Sequence, residues 1–375
     1  MKILTLCYEF PPVGGGGGRV VEGLARTLVK MGHEVDVVTM GYIGLPGFER
    51  IEGVNVYRVP SLRTRVAECS LFEAASYVIG ALPTLWRLVR TRRYDLNHTH
   101  FIFPVGLLSW MINRLTGLPY IITAHGSDVP GYNPHALQLA HWLLRPLWQM
   151  VLRRASAVAA PSEMLKTLIS AQRPQTPVGV IPNGFNKDRF RTDKPRAKRV
   201  LLVTRMLERK GVQYLLKALQ GLPMDGYDVQ IVGEGPYLPD LKQLAEKINV
   251  PVQFRGWLDN ASDELRDLYE TSRIFVLPSE AENFPVCLLE AMAAGLAIIT
   301  TEGTGCTEVV GGTAILVPVK DAAAIARALS GLIESPERGT ALGQAARQRL
   351  DQQFDWSIVA ERYMSLYNDA VRIVP

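Results

Sequence analysis

Cysteine is scarce in this chain of 375 residues, and the little there is has no pattern. Cys7, Cys69, Cys287 and Cys306 form no CxxC pair and no metal-ligand spacing, which argues against a disulfide framework or a cysteine zinc site. Four reduced thiols packed as small hydrophobes are expected. Long apolar runs are missing too, since charge interrupts each one well short of the roughly 18 residues that a membrane span needs. The start, Met1-Lys2-Ile3-Leu4-Thr5-Leu6, has one positive charge and a strand-length apolar run before Glu9, Pro11 and Pro12. A secretory leader would need roughly 7–15 apolar residues and a small-residue cleavage site. A cytoplasmic protein is therefore expected.

Acidic residues are sparse in the first half. Residues 1–190 carry 20 Lys and Arg against 12 Asp and Glu, a net +8, while residues 191–375 carry 21 against 24, a net −3. Within the basic half, Arg63, Arg65, Arg87, Arg90, Arg92 and Arg93 flank the apolar stretch Leu71–Val89, which includes Phe72, Tyr77, Leu85 and Trp86. Such a segment can lie on an anionic membrane surface, or it can be an amphipathic helix with a solvated basic face. No nucleic-acid partner is expected.

Hydrophobic residues make up 47% and charged residues 21%, the balance of a globular protein. The length exceeds what one core holds, because domains cluster at about 100–200 residues. Short β-branched runs recur between helical patterns in both halves: Ile3–Cys7, Glu34–Thr39, Val54–Val59, Leu96–His100, Tyr120–Thr123, Ala157–Ala160 and Gly179–Ile181, then Val200–Thr204, Asp228–Val232, Val252–Phe254, Ile274–Pro278, Ala297–Thr301 and Ala314–Val317. Alternation of this kind predicts two doubly wound α/β domains with parallel sheets. The first is expected over 1–185, a polar linker over 186–199 and the second domain over 200–354. A terminal amphipathic helix over about 355–375 is expected to pack back on the first domain.

Ligands of open α/β sheets sit at the carboxyl ends of the strands. The segments that follow strands here are therefore the candidates. After the first strand come Gly14 to Gly18 and Arg19; Gly16, Gly17 and Gly18 remove every side chain where backbone N–H groups could approach a phosphate or sugar. A merely flexible loop is the alternative. The run has no GxGxxG, no acid ends the second strand, and no Lys-Ser/Thr follows, which disfavours NAD and P-loop chemistry. His98 and His100 share a strand face, and His125-Gly126-Ser127-Asp128 follows the next strand, yet no third spaced ligand completes a metal site.

In the second half, Arg205 and Lys210 follow a strand and suit a diphosphate, Arg as a bidentate fork and Lys as a point charge. Ser279 to Pro285 follows another strand and leads through Val286 into an apolar helix. That helix carries Glu290, a carboxylate that needs a partner on an apolar face; ribose hydroxyls would serve. Glu282 lies in the loop before it.

Together these segments resemble the retaining glycosyltransferases of family 4. The matching pieces are Gly14 to Arg19, Asn97-His98-Thr99-His100, His125-Gly126-Ser127-Asp128, Ile181-Pro182-Asn183-Gly184, Arg205 with Lys210-Gly211, Val232-Gly233-Glu234-Gly235-Pro236, and Glu282 through Glu290. The resemblance implies the GT-B fold, two Rossmann-like domains facing across a cleft, and transfer from a UDP- or GDP-linked sugar to a lipid, polysaccharide or small-molecule acceptor. It implies no cofactor and no metal, because fixed cations and helix N-termini can stabilise the departing diphosphate. By the same resemblance, Arg205 and Lys210 neutralise the diphosphate and Glu290 holds the ribose. Glu282 contacts the transferred sugar with the backbone of Asn283, Phe284, Pro285 and Val286, while His125 faces that sugar. The base rests near Gly233 and Gly235, and the glycine loop borders donor phosphate and acceptor. Arg19, His100 and Asp128 are acceptor-side candidates, and the loops Gly41–Arg50 and Ser61–Leu71 are expected to set the acceptor. Asn283 stands where many relatives have Gly, which bears on donor choice. A non-hydrolysing sugar-nucleotide epimerase shares the fold and is the rival enzyme reading; a non-catalytic sugar-binding protein is the third.

Overall fold

The computed structural model describes residues 1–66, 69–132, 138–173 and 175–372. Residues 67 and 68 of the expected acceptor loop and 373–375 of the terminal helix lie outside the described residues. The chain divides into two compact units, Met1–Gly184 with Trp356–Pro375, and Phe185–Asp355.

The first unit is built on an eight-stranded sheet of β1 (Lys2–Leu6), β2 (Glu34–Met40), β3 (Phe48–Ile51), β4 (Val54–Val59), β5 (Leu96–His100), β6 (Tyr120–Thr123), β7 (Ala157–Ala160) and β8 (Val178–Val180). Their spatial order is β3-β4-β2-β1-β5-β6-β7-β8. Strand β1 pairs in parallel with β2 on one side and β5 on the other, so the winding direction reverses between β1 and β5. That reversal opens the place where an α/β sheet takes its ligand.

One strand departs from the parallel pattern. β3 pairs antiparallel with β4, with Glu52 and Gly53 at positive φ in the two-residue turn between them. A turn of this kind needs positive φ at both central residues. Glu52 is an unusual occupant there, and Phe48-Glu49-Arg50-Ile51 does not read as a strand from its residue types.

Five helices matter for the site: α1 (Gly16–Lys30), α2 (Leu71–Thr91), α3 (Gly106–Thr116), α4 (Gln138–Arg154) and, from the far end of the chain, α13 (Trp356–Arg372). Helix α1 buries Val20, Val21, Leu24, Ala25 and Leu28 at the three-to-four spacing of an amphipathic helix. The terminal helix α13 packs on α1 and on β5 and β6, with Tyr363 and Tyr367 buried. Pro146 within α4 and Pro83 within α2 are both exposed.

The second unit holds a six-stranded sheet of β9 (Arg199–Val203), β10 (Asp228–Val232), β11 (Gln253–Gly256), β12 (Ile274–Leu277), β13 (Ala297–Thr301) and β14 (Ile315–Val317). The order β11-β10-β9-β12-β13-β14 reverses between β9 and β12. Four helices flank the residues of interest: α6 (Val212–Leu219), α8 (Asp263–Thr271), α9 (Val286–Ala293) and α10 (Gly305–Val310).

The stretch expected as a linker is packed into this second unit. Phe185 and Phe190 are buried in its core. The Arg191 N–H donates to Glu270 at 2.9 Å, and the Arg196 guanidinium donates to the carbonyls of Ser272 at 2.7 Å and Ala294 at 2.5 Å, where α8 and α9 end. Cations at helix carboxyl ends meet unsatisfied carbonyls there. A basic run therefore docks where composition alone suggests a free connection.

Candidate functional site

In the first unit the reversal between β1 and β5 gathers the glycine loop, the end of β5 and the loop after β6. Helix α1 opens on Gly15 without a side-chain cap, and the Gly15 N–H donates to the Glu9 carboxylate at 3.0 Å. An acid of the protein itself thus occupies one donor of the helix terminus, a role that sequence patterns alone did not suggest. The glycines have steric reasons to be there. A Cβ on Gly14 would meet the Glu9 side chain at 2.6 Å, on Gly17 the Phe101 ring at 2.8 Å, and on Gly18 the Glu9 backbone at 3.2 Å. Gly15 is different, since its Cβ would stand 3.9 Å from Glu9 Oε2, an ordinary contact. Gly16 and Gly15 are exposed. Arg19 turns from the loop towards Glu22, 3.7 Å away.

Phe101, at φ 72, ties this loop to the histidines. Its ring stacks on Tyr8 at 4.5 Å and lies 4.5 Å from the His125 ring. His125 Nε2 and His100 Nδ1 are 3.1 Å apart, while His100 Nε2 has no hydrogen-bond partner and is buried. His98 is held from both sides, with Nε2 2.8 Å from Thr123 Oγ1 and Nδ1 2.8 Å from the Tyr367 hydroxyl. Burial lowers all three histidines: His98 to about 3, His125 to about 4, and His100 well below its ordinary value. They are neutral at pH 7, the form that offers one donor and one acceptor per ring.

Asp128 is placed as a brace. Its two oxygens accept from the backbone N–H groups of Ile102 at 2.7 Å, His125 at 3.0 Å and Gly126 at 2.9 Å. Burial raises its pKa, and those donors oppose the rise. This carboxylate, an acceptor-side candidate, holds the His125 loop.

In the second unit, β9 ends in an exposed Arg205 and a loop that returns as a short 3-10 turn over Glu208–Lys210. Gly211 follows at φ 73, where a Cβ would stand 1.9 Å from the Pro278 carbonyl oxygen. Only glycine lets the β9 and β12 loops approach this closely. That approach brings Lys210 Nζ to 2.5 Å from Glu282 Oε1, with side chains 12% and 9% exposed. Gly233 and Gly235 serve the neighbouring loop in the same way, since Cβ atoms there would meet the carbonyl oxygens of Thr204 at 1.8 Å and Met206 at 2.4 Å.

Glu282 and Asn283 are buried, as is Phe284. Their backbone rests on the amino end of α10: the Gly305 N–H donates to the Glu282 carbonyl at 2.9 Å, and a Gly305 Cβ would meet the Asn283 carbonyl oxygen at 1.7 Å. Helix α9 then begins after Pro285 with no side-chain cap, the Leu288 N–H donating to the Pro285 carbonyl at 3.1 Å. Glu290, 4% exposed, accepts from the Tyr269 hydroxyl at 2.8 Å and pairs with Arg189 Nη1 at 3.5 Å. Arg189 stands over the rings of Phe185 and Phe190 and donates to the Asn260 carbonyl. The partners that a buried carboxylate requires are thus supplied from within the unit. Neither was legible, because Arg189 sits in the basic run read as linker and Tyr269 on the buried side of α8.

Cys287 lies near Glu282, Glu290 and Lys210; burial, then the two carboxylates, hold its thiol far above its ordinary pKa. Burial also pushes Cys306 up to about 11. Neither thiol is a nucleophile at neutral pH. Among the described residues no group of three or more His, Cys, Asp or Glu could hold a metal ion, and no helix is long and apolar enough to cross a membrane.

Two doubly wound units, each with candidate residues beside the reversal of strand order, make the GT-B fold. Residues 14–189 match the model of glycosyltransferase family 4, and residues 184–349 match that of glycosyl transferases group 1. The chain belongs to this glycosyltransferase family. A glycosyltransferase of Methanocaldococcus jannaschii is 26% identical over 100% of both chains. Among solved structures, the sucrose-phosphate synthase of Thermosynechococcus elongatus superposes with a TM-score of 0.83 at 22% identity, covering 98% of each chain. Anabaena HepE, in complex with UDP and glucose, gives 0.76 at 19% identity over 98% of this chain and 99% of its own.

Proposed function

We propose that this glycosyltransferase moves a sugar with retention from a UDP- or GDP-linked donor to a lipid, polysaccharide or small-molecule acceptor, with no divalent metal. Support comes from the Lys210–Glu282 pair where β9 and β12 diverge, beside the uncapped amino end of α9. A diphosphate offers Lys210 a second anion and offers the α9 N–H groups an acceptor. Arg205 adds a second cation, and Glu290 is the ribose-holding group, with Tyr269 and Arg189 fixing its orientation. Glu282, relieved of part of its pairing, faces a sugar hydroxyl together with the Asn283 to Val286 backbone.

In the reaction the anomeric C–O bond to the diphosphate breaks and the acceptor oxygen bonds to the same carbon from the same face. The acceptor proton leaves with the departing phosphate oxygen. Negative charge builds on that phosphate, and Lys210, Arg205 and the α9 terminus lower its energy. Neutral His125 is proposed to hydrogen-bond the sugar, its ring set by His100 and its loop by Asp128. The enzyme is proposed to work in the cytoplasm, where its basic first unit can meet the anionic inner face of the membrane.

A screen of UDP-, GDP- and ADP-sugars against an acceptor panel tests this. Nucleoside diphosphate release that needs an acceptor, persists in EDTA and gives an α-linked product from an α-linked donor is expected. Release lost in EDTA overturns metal independence, and a β-linked product overturns retention. Interconversion of two sugar nucleotides without an acceptor points to an epimerase.

A further inference from the structure

Helices α2, α3 and α4 lie side by side, α2 packing on α3 and α3 on α4. Across these three helices the one acidic residue is Glu73, and it is buried. Its carboxylate closes a capping box with Ser70 and also accepts from the Thr64 N–H and hydroxyl. Those four donors pull its pKa down to about 2, so its charge is spent inside the fold. Facing outward instead are Arg87 and Arg90 on α2, Arg114 on α3, and Arg145, Arg153 and Arg154 on α4.

The same layer exposes large apolar side chains. On α2, Phe72 is 72% exposed, Ile79 70%, Leu82 37% and Trp86 48%. Their spacing of seven, three and four places them on one stripe, about 20 Å long at the rise of an α-helix. Arg90 continues the stripe, its guanidinium 3.8 Å from the Trp86 ring centroid. Leu143 and Leu147 on α4 are 60% and 39% exposed, and Arg114, Arg153 and Arg154 line a groove together with Trp110, Pro146 and Met150. At the other end of the stripe Ile43, 89% exposed, and Leu62, 57% exposed, belong to loops joined to α2 and to the glycine loop. The Leu62 N–H donates to Ser76, Ser61 to the Gly41 carbonyl, and the Gly14 N–H to the Val66 carbonyl.

We infer that the α2–α3–α4 face is the surface by which this protein docks on an anionic lipid bilayer. This deepens the membrane part of the proposed function and is independent of its donor chemistry. An aqueous partner does not explain a stripe of Phe, Ile, Leu and Trp in water, nor does a neutral one explain uncompensated arginines on three successive helices. A bilayer surface answers both, with headgroup phosphates for the guanidinium groups and acyl chains for the apolar side chains. With α2 lying in the interface, the Ile43 and Leu62 loops bring the glycine-loop end of the sheet to lipid-borne acceptors.

Flotation with vesicles tests it. The full chain is expected to float with phosphatidylglycerol–phosphatidylcholine vesicles, to be released by raised salt, and to stay behind with phosphatidylcholine alone. Ile79→Ser with Trp86→Ser, and separately Arg87→Glu with Arg153→Glu, should each weaken partitioning at least tenfold. Affinity for the nucleotide, measured without lipid, should stay within about twofold in both, which keeps this test apart from the donor site. Equal binding to both vesicle types, or unchanged binding by both variants, overturns the proposal. So does a stable dimer in sedimentation velocity that the serine pair dissociates, since a second copy would then cover the stripe.

Discussion

The candidate residues of the two units solve the problem of buried polarity in opposite ways. In the first unit His98, His100 and His125 are stripped of charge by burial and held by neutral hydroxyls and by one another. In the second unit charge is kept and compensated, Lys210 against Glu282 and Arg189 against Glu290. A neutral cluster loses little when one member is trimmed to a polar isostere, whereas breaking a buried ion pair leaves an uncompensated charge. The second unit is therefore where substitutions should cost most, and where a charged ligand finds groups it can share.

The largest effect is expected at Lys210. Lys210→Ala should lower kcat about 10²–10³-fold, the usual consequence of removing one preorganised group that meets transition-state charge. It should also destabilise the second unit by about 3–5 kcal/mol, because Glu282 is left buried and unpaired. Adding Glu282→Gln removes the buried unpaired charge and so tests the stability effect. Thermal denaturation should show stability largely recovered in the double variant, with transfer still lost. Recovery of transfer along with stability would mean that Lys210 is structural.

Glu290 comes next. Glu290→Gln should weaken nucleotide affinity about tenfold, worth about 1.4 kcal/mol, as read by calorimetry. Tyr269→Phe removes only the hydroxyl that orients it and should cost about 1 kcal/mol of stability with a smaller loss of affinity. If Tyr269→Phe weakens nucleotide binding as much as Glu290→Gln, the ribose contact belongs to the tyrosine.

How much of this was legible depends on what kind of signal each residue leaves. Strand positions came out within a residue or two because central parallel strands are apolar runs bounded by turns, with β3 the exception. The candidate loops after β1, β6, β9 and β12 are singled out by their position behind strands. What position cannot reveal is the inner partner: Glu9 on the Gly15 N–H, Asp128 bridging to Ile102, or Arg189 and Tyr269 on Glu290. Each is a contact across sequence whose residue type is common everywhere. The expected linker misled for the same reason, since its cations are matched by carbonyls and carboxylates that only the fold brings near.

The contrast between the units also predicts different responses to acid. His98 and His125 have folded pKa values of about 3 and about 4, below the roughly 6.5 of an unfolded histidine. Their neutral forms thus stabilise the first unit fully above about pH 6.5, and the contribution is lost as pH falls towards 4 and then 3. Glu73, lowered from about 4.5 to about 2, stabilises fully above about pH 4.5, and its contribution is lost only as pH falls from there towards 2. Hydrogen exchange corrected for intrinsic rates should show β5 and β6 losing protection between about pH 6.5 and 4, ahead of the amino end of α2. Simultaneous loss in both places would show that the histidines do not set acid stability.

The smallest expected effect discriminates most sharply between packing and ligand approach in the glycine loop. A Cβ at Gly17 would stand 2.8 Å from the Phe101 ring, so Gly17→Ala must displace that ring, which lies against His125, and should lower transfer about tenfold. At Gly15 the same methyl has room, with Glu9 Oε2 3.9 Å away. Protein packing alone therefore predicts that Gly15→Ala is close to silent in both stability and transfer. A ligand changes that expectation, since a phosphate or sugar seated on the Gly15 N–H would have to displace the Glu9 carboxylate and come within reach of the new methyl. Unchanged KM values for donor and acceptor in Gly15→Ala would assign the loop to packing around Glu9. A severalfold rise in one KM at constant Tm would mark Gly15 as the point of approach and identify which substrate makes it.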